Sequence, residues 1–435
     1  MLEHKTTFSV SPKSKEEWLA HAENCHPITI DLGIERVKLV ATRLGILHFN
    51  CPVITVAGTN GKGSCVELTK AILMAAGYRV ATYTSPHLLH YNERIRIADE
   101  LVSDAALCDA FASIEKVRGD VSLTYFEFGT LAALWLFKQV PLDAIILEVG
   151  LGGRLDAVNC VDADVAVISM VDLDHMDYLG NTREHIAREK AGIMRPNKPC
   201  VFGDFSLPHA VYEQAALLNS ALSVQGRTFT YKKGNFSWSW RSQQQTLADL
   251  PLPRVDLQNA ATVLQVIELL AGQFCISRTA IENGLKQVFV PGRFQIIEKN
   301  STRIILDVAH NPAGGRCLAR RFAKEPDTGE TYAIVGMLAD KDIRNTLAPL
   351  VDYIDHWYLV DLEGPRGATR DRLYQCLVEI APRSCVSMFS SPVVAYRKAC
   401  QIVKKGDYLL VFGSFHTVAA VLAEVYDAMR YNLAS

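Results

Sequence analysis

An apolar run that ends in a glycine-rich turn places the strongest constraint on this chain. The run Val53–Ala57 has the β-branched composition of a buried strand, and the turn reads Gly58-Thr59-Asn60-Gly61-Lys62-Gly63-Ser64. Apolar residues with helical spacing begin directly afterwards, at Val66. Backbone N–H groups at such a turn, a helix N-terminus and a lysine together attract an anion. The sequence therefore predicts a phosphate-binding loop.

The glycine spacing of this loop differs from the standard pattern. Two residues rather than four separate Gly58 from Gly61, and Gly63 stands between the lysine and the hydroxyl residue. A plain glycine-rich turn with a solvated lysine is the alternative interpretation. The order of strand, loop and helix favours the phosphate site.

Length and composition limit the class of protein. A chain of 435 residues, 49% hydrophobic and 21% charged, is typical of a globular protein with two domains. A net charge of −2 without a Lys/Arg block argues against nucleic acid as a partner. No apolar run reaches the ~18 residues of a membrane helix, and the N-terminus has no signal-peptide core. Eleven cysteines without a Cys-x-x-Cys pair predict reduced thiols in the cytoplasm and argue against a zinc site.

Strand-like and helical patterns alternate along the chain. After 53–57, strands are expected at 79–83, 143–149, 164–169 and 199–203, and helices at about 103–117, 126–139, 181–194 and 207–220. A capping box at Ser14–Glu17 and a helix at about 33–44 precede them, and a hairpin at 228–240 and helices at 257–271 and 277–287 follow. The alternation indicates βαβ units around a mostly parallel sheet.

A second α/β domain is expected after the turn Pro291–Phe294. Its strands are expected at 303–308, 332–335, 356–359 and 408–412, and its helices at about 313–323, 341–351, 369–379, 391–403 and 415–429. The predicted architecture is α/β, with an N-terminal domain of P-loop ATPase type, 1–296, and a smaller Rossmann-like C-terminal domain, 297–435.

Polar residues that directly follow apolar strands are candidates for the site, because ligands of open α/β sheets bind beyond the carboxyl ends of the strands. Ser85, Glu148 and His175 hold such positions in the first domain. A hydroxyl and a carboxylate beside a phosphate suggest a divalent cation, although imidazole is an unusual ligand for Mg²⁺. A salt-bridged strand end for Glu148 and a hydrogen-bonded loop residue for His175 are the alternatives.

Two further features carry possible chemistry. Lys190 lies in a flank rich in Ala, Gly and Ile, where burial would lower its pKa and make a neutral amine available. In the second domain Asp307, His310 and Asn311 cluster at the end of the strand expected at 303–308. Arg293 lies just upstream of that strand. Helix capping by Asn311 and Ser414 is the alternative interpretation there.

Six motifs in a fixed order carry a family resemblance. They are Ala57–Ser64, Tyr83–Leu88, Glu148–Asp156, Asp174-His175, Arg188–Ile193 and Asp307–Pro312. From Trp18 to the C-terminal helix, the chain resembles the bacterial bifunctional dihydrofolate synthases/folylpolyglutamate synthases of the Mur ligase superfamily. That family's loop has the same short glycine spacing, which favours a phosphate site here.

The resemblance implies roles for individual residues. The ATP phosphates would be cradled by Gly58, Thr59, Asn60, Gly61, Lys62, Gly63 and Ser64. Ser85, Glu148 and His175 match Mg²⁺ ligands, and Lys190 matches a lysine carbamylated by CO₂ that helps hold a second Mg²⁺. Asn259, Arg293 and Asp307 match positions that contact ATP in the second domain, and His310 matches a residue of the catalytic cleft. Three segments match positions that contact the pterin substrate: Asn24-Cys25-His26-Pro27, Thr124-Tyr125-Phe126-Glu127 and Leu155-Asp156-Ala157.

The implied reaction is ATP-dependent amide ligation, with Lys62, Lys190 and His310 as the catalytic set. ATP would convert a substrate carboxylate into an acyl phosphate, which the amine of L-glutamate attacks. Dihydropteroate would give dihydrofolate, and reduced folates would give folylpolyglutamates. The resemblance also implies ATP, two Mg²⁺ ions and small-molecule substrates alone, with neither nucleic acid nor membrane as a partner, in a cytoplasmic monomer.

Other functions remain open on the sequence. A monofunctional folylpolyglutamate synthase is one alternative. A Mur-type ligase for cell-wall precursors would share the ATP chemistry, but the Phe/Tyr-containing pterin segments argue against it. A switch GTPase would need an Asn-Lys-x-Asp motif, and a nicotinamide oxidoreductase would need an intact G-x-G-x-x-G, and the sequence contains neither.

Overall fold

The described chain forms two compact units. The computed structural model describes residues 14–299, 302–326 and 329–434, with side chains up to residue 427. The first unit holds the described residues up to Ser85 together with Asn92–Phe289, and the second holds Pro86–Tyr91 and the described residues from Val290 onward. The sequence placed the division after residue 296 and left Pro86–Tyr91 in the first domain. That segment joins the second unit because its two leucines pack against the apolar core there.

The first unit contains an eight-stranded sheet with helices packed against it. Its strands are β1 (Val53–Ala57), β2 (Val80–Tyr83), β3 (Ile95–Ile97), β4 (Glu100–Leu101), β5 (Ala144–Glu148), β6 (Val165–Ile168), β7 (Cys200–Phe202) and β8 (Leu222–Val224). Its helices are α1 (Lys15–Asn24), α2 (Glu35–Leu44), α3 (Lys62–Ala75), α4 (Asp104–Arg118), α5 (Tyr125–Lys138), α6 (Met176–Leu179), α7 (Arg183–Ala191), α8 (His209–Leu217), α9 (Leu257–Leu269) and α10 (Arg278–Gln287).

Strand order places β1 among parallel neighbours. The order is β4-β3-β2-β5-β1-β6-β7-β8, and only the pairs made by β3 are antiparallel. Every residue of β1 and β5 is buried, as predicted for strands covered on both faces. The chain leaves β1 toward β2 on one side and leaves β6 toward β7 on the other. The connections therefore diverge between β1 and β6, which is where open α/β sheets bind ligands.

A small antiparallel sheet stands apart from the large one. It consists of β9 (Phe229–Lys233), β10 (Ser237–Ser242) and β11 (Thr246–Pro251), in the order β11-β10-β9. The hairpin of β9 and β10 was predicted, whereas β11 was missed because half of its residues are exposed and they do not alternate in polarity. Trp240 on β10 is fully buried and its indole Nε1 donates to Ala261 O, at 3.1 Å, which fixes this sheet to α9.

The second unit is a six-stranded sheet with an antiparallel edge. Its strands are β12 (Gln295–Lys299), β13 (Thr302–Asp307), β14 (Thr331–Val335), β15 (His356–Val360), β16 (Cys385–Phe389) and β17 (Tyr408–Phe412). Their order is β12-β13-β17-β14-β15-β16, and only β12 is antiparallel to its neighbour. Its helices are α11 (Pro312–Phe322), α12 (Ile343–Leu347), α13 (Arg370–Ile380), α14 (Pro392–Ile402) and α15 (Phe415–Ala434).

The sequence also missed both edge strands of this second sheet. Edge strands β12 and β16 expose alternate or most side chains, so neither has the apolar run that marks a central strand. The helix expected at 341–351 ends at Leu347 and continues as a 3₁₀ helix, Ala348–Tyr353. Pro349 explains the change, because proline has no N–H to continue an α-helix.

The capping box predicted at Ser14–Glu17 is present. Ser14 Oγ accepts from Glu17 N and Glu17 Oε2 accepts from Ser14 N, each at 3.2 Å, which is the predicted capping box.

All eleven cysteines lie in the described ranges, and none forms a disulfide. No helix of the described chain has both the length and the apolar character needed to cross a bilayer.

Candidate active site

The phosphate loop joins β1 to α3. Gly58 and Gly61 have φ values of 152° and 88°, which favour glycine. A Cβ on Gly61 would lie 2.5 Å from Asn259 Oδ1, and a Cβ on Gly58 would overlap Ser169 Oγ. Helix α3 begins at Lys62, so the N–H groups of its first turn face the loop. The structure confirms the predicted order of strand, glycine loop and helix.

Hydrogen bonds fix the loop to the segment that follows β6. Thr59 N donates to Met170 O at 2.8 Å, and Thr59 Oγ1 donates to Asp172 O at 3.0 Å. Ser169 Oγ donates to Asn60 O at 2.7 Å. These bonds span the gap between β1 and β6, where the connections diverge. The sequence contained no signal for Ser169 and Asp172 as supports of the loop.

Two lysines approach the same carbonyl of the loop. Lys62 Nζ and Lys190 Nζ each donate to Gly58 O at 3.0 Å. Lys190 lies on α7 and is only 4% exposed. Burial, with the nearby charge of Lys62, lowers the pKa of Lys190 from 10.5 to about 7. The prediction that burial would lower this pKa is confirmed.

Glu148, at the end of β5, faces the first turn of α3. Its carboxylate is buried, and Oε2 accepts a hydrogen bond from Ser85 N at 3.1 Å. A Cβ on Gly63 would lie 3.7 Å from both carboxylate oxygens. The structure therefore brings Glu148 and Ser85 together beside the phosphate loop, as the strand-end argument predicted.

His175 lies on the other side of the loop. It precedes α6 with a left-handed φ of 50°, its N–H donates to Asp174 Oδ1 at 2.9 Å, and its Nε2 lies 3.9 Å from Asp174 Oδ2. The segment that carries it follows β6, and Asp172 in that segment contacts the loop. Glu148 and His175 thus come from the two strands that flank β1.

Two of the three predicted pterin segments meet at Gly150. A Cβ on Gly150 would lie 2.6 Å from Phe126 Cζ, so the aromatic ring needs glycine there. Asp156 Oδ2 accepts from Leu151 N at 2.8 Å and Oδ1 accepts from Val158 N at 3.0 Å. Burial raises the pKa of Asp156 to about 6, although these backbone donors act in the opposite direction. Segment 155–157 is therefore held beside segment 124–127.

The third pterin segment is attached through an ion-pair network. His26 Nδ1 lies 2.9 Å from Ser122 Oγ, and its Nε2 lies 3.0 Å from Asp31 Oδ2. Arg36 donates to Asp31 Oδ2 at 2.6 Å and to Glu127 Oε1 at 3.1 Å. Segment 24–27 is thereby tied to segment 124–127. Asp31 and Arg36 were missed, because their spacing along the chain matches no motif.

Local structure accounts for part of segment 124–127. Thr124 and Glu127 form the capping box of α5: Thr124 N donates to Glu127 Oε2 at 2.7 Å, and Glu127 N donates to Thr124 Oγ1 at 3.2 Å. Arg94 Cζ lies 5.6 Å from the centre of the Tyr125 ring, within cation–π range. Arg94 is a buried cation that the sequence analysis did not single out.

Asn259 corrects one sequence-based assignment. The family resemblance grouped it with the ATP contacts of the second domain, although the expected boundary at 296 leaves it in the first. It lies in the first unit on α9, against Gly61 of the phosphate loop. The reason is that α9 packs against α3. The amide is therefore placed where it can contact a ligand of the loop.

The second unit gathers its own polar cluster at the end of β13. Asp307 is buried, with Oδ2 accepting from Phe294 N and Oδ1 from Ala309 N, each at 2.8 Å. Burial raises the pKa of Asp307, whereas the charges of Arg293 and Arg321 oppose that effect. Arg293 and Asp307 are thus near each other, as the sequence suggested.

His310 and Arg293 both contact the start of α15. The His310 ring lies 6.3 Å from the Phe415 ring, and Arg293 Cζ lies 5.4 Å from it. His310 Nδ1 is 2.8 Å from Val308 O and donates to it, because a carbonyl oxygen can only accept a hydrogen bond.

Helix capping, the alternative offered for part of this cluster, is also confirmed. Asn311 Oδ1 accepts from Gly314 N at 2.9 Å and begins α11. Ser414 Oγ accepts from Thr417 N at 3.0 Å near the start of α15. These two side chains therefore have structural roles at helix starts.

Comparison with known proteins agrees with this arrangement. The Mur ligase middle domain matches residues 56–247, and the Mur ligase, glutamate ligase domain matches residues 292–415. The dihydrofolate synthase/folylpolyglutamate synthase of Escherichia coli K12 is 47% identical over 99% of this chain and 99% of its own length. The chain belongs to the dihydrofolate synthase/folylpolyglutamate synthase family of Mur ligases.

Solved structures show the same fold. Escherichia coli FolC in complex with DHPP and ADP is 47% identical, and the match covers 97% of this chain and 100% of that one with a TM-score of 0.92. A bifunctional folylpolyglutamate synthase/dihydrofolate synthase with Mn, AMPPNP and L-glutamate bound is 46% identical, covers 96% and 100% of the two chains, and has a TM-score of 0.89. The predicted two-domain α/β architecture and family are confirmed.

Proposed function

We propose that this protein is an ATP-dependent ligase that joins L-glutamate to dihydropteroate and to reduced folates. One observation carries the proposal: a glycine loop with Lys62, a buried carboxylate at Glu148 and a buried amine at Lys190 converge in a member of this family. The relatives are named for both activities, and the related structures contain DHPP, L-glutamate and ATP analogues or ADP.

The chemistry is acyl activation. A substrate carboxylate oxygen attacks the γ-phosphorus of ATP, ADP leaves, and an acyl phosphate forms. The amine of L-glutamate then attacks the acyl carbon, phosphate leaves with the C–O bond electrons, and the amine loses a proton. Loop N–H groups and the Lys62 ammonium stabilise the negative charge that spreads over the transferred phosphoryl group.

We propose that Ser85, Glu148 and His175 hold Mg²⁺ beside the loop. The fit rests on Glu148, whose buried carboxylate faces the first turn of α3, and on hydroxyl and carboxylate oxygens as ligands that Mg²⁺ prefers. When bound, the cation supplies charge stabilisation to the phosphates. His175 lies at the other flanking strand end, so it would approach from the opposite side of the loop.

We propose that CO₂ carbamylates Lys190 and that the product contributes to a second Mg²⁺ site. Only a neutral amine attacks CO₂, and burial with a pKa of about 7 makes that form abundant at neutral pH. Nζ forms a bond to the carbon of CO₂ and loses a proton to solvent, which leaves an anionic oxygen ligand. The hydrogen bond from Lys190 Nζ to Gly58 O supports a position for the carbamate beside the phosphate loop.

The substrate contacts are proposed from the three connected segments. The pterin would bind near Asn24–Pro27, Thr124–Glu127 and Leu155–Ala157, which the His26 and Arg36 bonds and the Phe126–Gly150 contact hold together. In the first unit Asn259 would contact ATP at the loop. In the second unit Arg293 and Asp307 would contact ATP, and His310 would act in the reaction.

An ADP-release assay tests the function. Purified protein receives ATP, Mg²⁺, bicarbonate, L-glutamate and dihydropteroate, with each substrate omitted in turn, and mass spectrometry identifies the product. We expect ADP release to require both the pterin and glutamate, and to occur also with a reduced folate. Activity with folates alone would indicate a monofunctional folylpolyglutamate synthase. ADP release with a cell-wall precursor, but with neither dihydropteroate nor a reduced folate, would reject the proposal.

The carbamate has a separate test. Lys190→Ala should lose most activity, a short-chain carboxylic acid in solution should restore part of it, and ¹³CO₂ should give a carbamate NMR signal in the parent but not in the variant. Lys233→Ala, which removes an exposed lysine of β9, is the matched control. Full activity of Lys190→Ala would contradict the carbamate.

We also propose that the protein is a monomer located in the cytoplasm. Analytical ultracentrifugation should show a single species with the mass of one chain. Eleven cysteines without a disulfide are compatible with the reducing cytoplasm.

A further inference from the structure

Three side chains with metal-binding atoms meet at the end of α1, outside the phosphate loop. His21 and Cys25 are four residues apart at the end of this helix, and Glu115 comes from α4. His21 Nε2 lies 2.9 Å from Glu115 Oε2 and 3.9 Å from Cys25 Sγ. All three ligand atoms lie within 4.8 Å of one another, and the side chains described in 14–299, 302–326 and 329–427 form no other such group of His, Cys, Asp and Glu.

The distances suit a small tetrahedral cation. Zinc bonds of ~2.0 Å to nitrogen and oxygen and ~2.3 Å to sulfur imply about 3.3 Å between N and O, and about 3.5 Å between N and S. The N–O distance of 2.9 Å must open, and the N–S distance of 3.9 Å must shorten, each by a few tenths of an ångström. The third distance, from Cys25 Sγ to the Glu115 carboxylate, is at most 4.8 Å and must close to about 3.5 Å, so cation binding requires a larger adjustment of these two side chains.

Neighbouring groups orient two of the ligands. Arg118 donates from Nε to Glu115 Oε2 and from Nη2 to Glu115 Oε1, each at 2.7 Å, which fixes the plane of the carboxylate. The rings of Trp18 and Phe128 make T-shaped contacts with the His21 ring, at centroid distances of 5.7 and 6.1 Å. Such outer contacts hold metal ligands in place in known sites.

Exposure leaves room for a cation to enter. His21 is buried, whereas Cys25 and Glu115 are partly exposed. Solvent can therefore reach the sulfur and carboxylate side of the cluster and supply a water as the fourth ligand. A thiolate, an imidazole and a carboxylate together select Zn²⁺-like ions over Mg²⁺.

We propose that His21, Cys25 and Glu115 form a binding site for a thiophilic divalent cation of the Zn²⁺ class. On binding, the Cys25 thiol releases its proton to solvent and any proton leaves Nε2, because ligation uses those lone pairs. The absence of a Cys-x-x-Cys pair had argued against zinc, but here the ligands come from two helices.

Occupancy would connect the site to the rest of the first unit. Cys25 follows α1 directly and belongs to segment 24–27. A cation would therefore tie the start of that segment to α4. Cation binding itself does not depend on the proposed ligase function, so either can fail without the other.

Cobalt spectroscopy tests the site. The reduced, metal-free full-length protein is titrated with Co²⁺ in excess Mg²⁺, which competes for oxygen-rich sites. We expect one equivalent of Co²⁺ to give intense tetrahedral d–d bands and a thiolate-to-Co²⁺ charge-transfer band, and Zn²⁺ to displace it. The charge-transfer band reports sulfur ligation, which a purely structural His21–Glu115 ion pair would not produce.

Variants assign the ligands. Cys25→Ser should abolish the charge-transfer band, and His21→Gln should weaken Co²⁺ affinity at least tenfold, with circular dichroism confirming the fold. Cys108→Ser, on α4 but outside the cluster, is the matched control and should keep the band. A band that survives Cys25→Ser, or no band in the parent at excess Co²⁺, would overturn the proposal.

Discussion

Replacing Lys190 by methionine should make the protein more stable while removing its proposed activity. The folded chain lowers the pKa of this amine from 10.5 to about 7, because the ammonium is fully buried. Below pH 7 both states hold the proton, and the folded state carries the full penalty of a buried charge. Each unit of pKa shift corresponds to about 1.4 kcal/mol, so this shift lowers the free energy of unfolding by about 5 kcal/mol when the amine is protonated.

The sign of the pH dependence follows from proton binding. Between pH 7 and 10.5 the unfolded chain binds more protons at this position, so the stability of the parent rises with pH and the penalty fades. Methionine has a similar length and no charge. It forfeits the bond from Nζ to Gly58 O, worth about 1 kcal/mol. Lys190→Met should therefore be more stable than the parent by about 3 to 4 kcal/mol at pH 7 and by almost nothing near pH 10.

Urea unfolding measures this difference. Both proteins are compared at several pH values in CO₂-depleted buffer with a chelator, so that neither a carbamate nor a metal contributes. Lys233→Met, at an exposed position of β9, should change stability by less than about 0.5 kcal/mol at any pH. Equal stability of parent and Lys190→Met at pH 7, or a gain that does not shrink as pH rises, would refute the argument.

Three further predictions concern the loop and its neighbours. Lys62→Ala should lower kcat/KM for ATP at least a hundredfold with an unchanged melting curve, and near-parent turnover would count against the phosphate site. Glu148→Gln and His175→Ala should each raise the Mg²⁺ concentration for half-maximal activity at least tenfold, whereas exposed Glu100→Gln should not; overlapping Mg²⁺ titrations would show that neither residue is a ligand. Gly61→Ala should lower the free energy of unfolding by about 1–2 kcal/mol in urea, because an alanine is strained at this left-handed φ. It should also raise the KM for ATP in steady-state kinetics. Unchanged stability would exclude strain at this position.

Local sequence determined much of the fold. The run Val53–Ala57, its glycine turn and the helix that follows are specified by residues close together in the chain, as are the capping boxes at Ser14 and Thr124. Apolar strands buried on both faces were predictable for the same reason, since their pattern is continuous. Exposed edge strands such as β16 were not, because only their neighbours in the sheet make them strands.

Tertiary structure decided which distant residues form the candidate site. The contact of Lys190 with Gly58 spans 132 positions in sequence, and the contact of Arg36 with Glu127 spans 91. Burial sets the pKa of Lys190, and burial depends on packing of α7 against the loop rather than on adjacent residues. Packing of α9 against α3 also placed Asn259 at the phosphate loop. Periodicity and short motifs therefore identify elements and candidate residues, whereas distances and electrostatic environments arise only when the elements pack together.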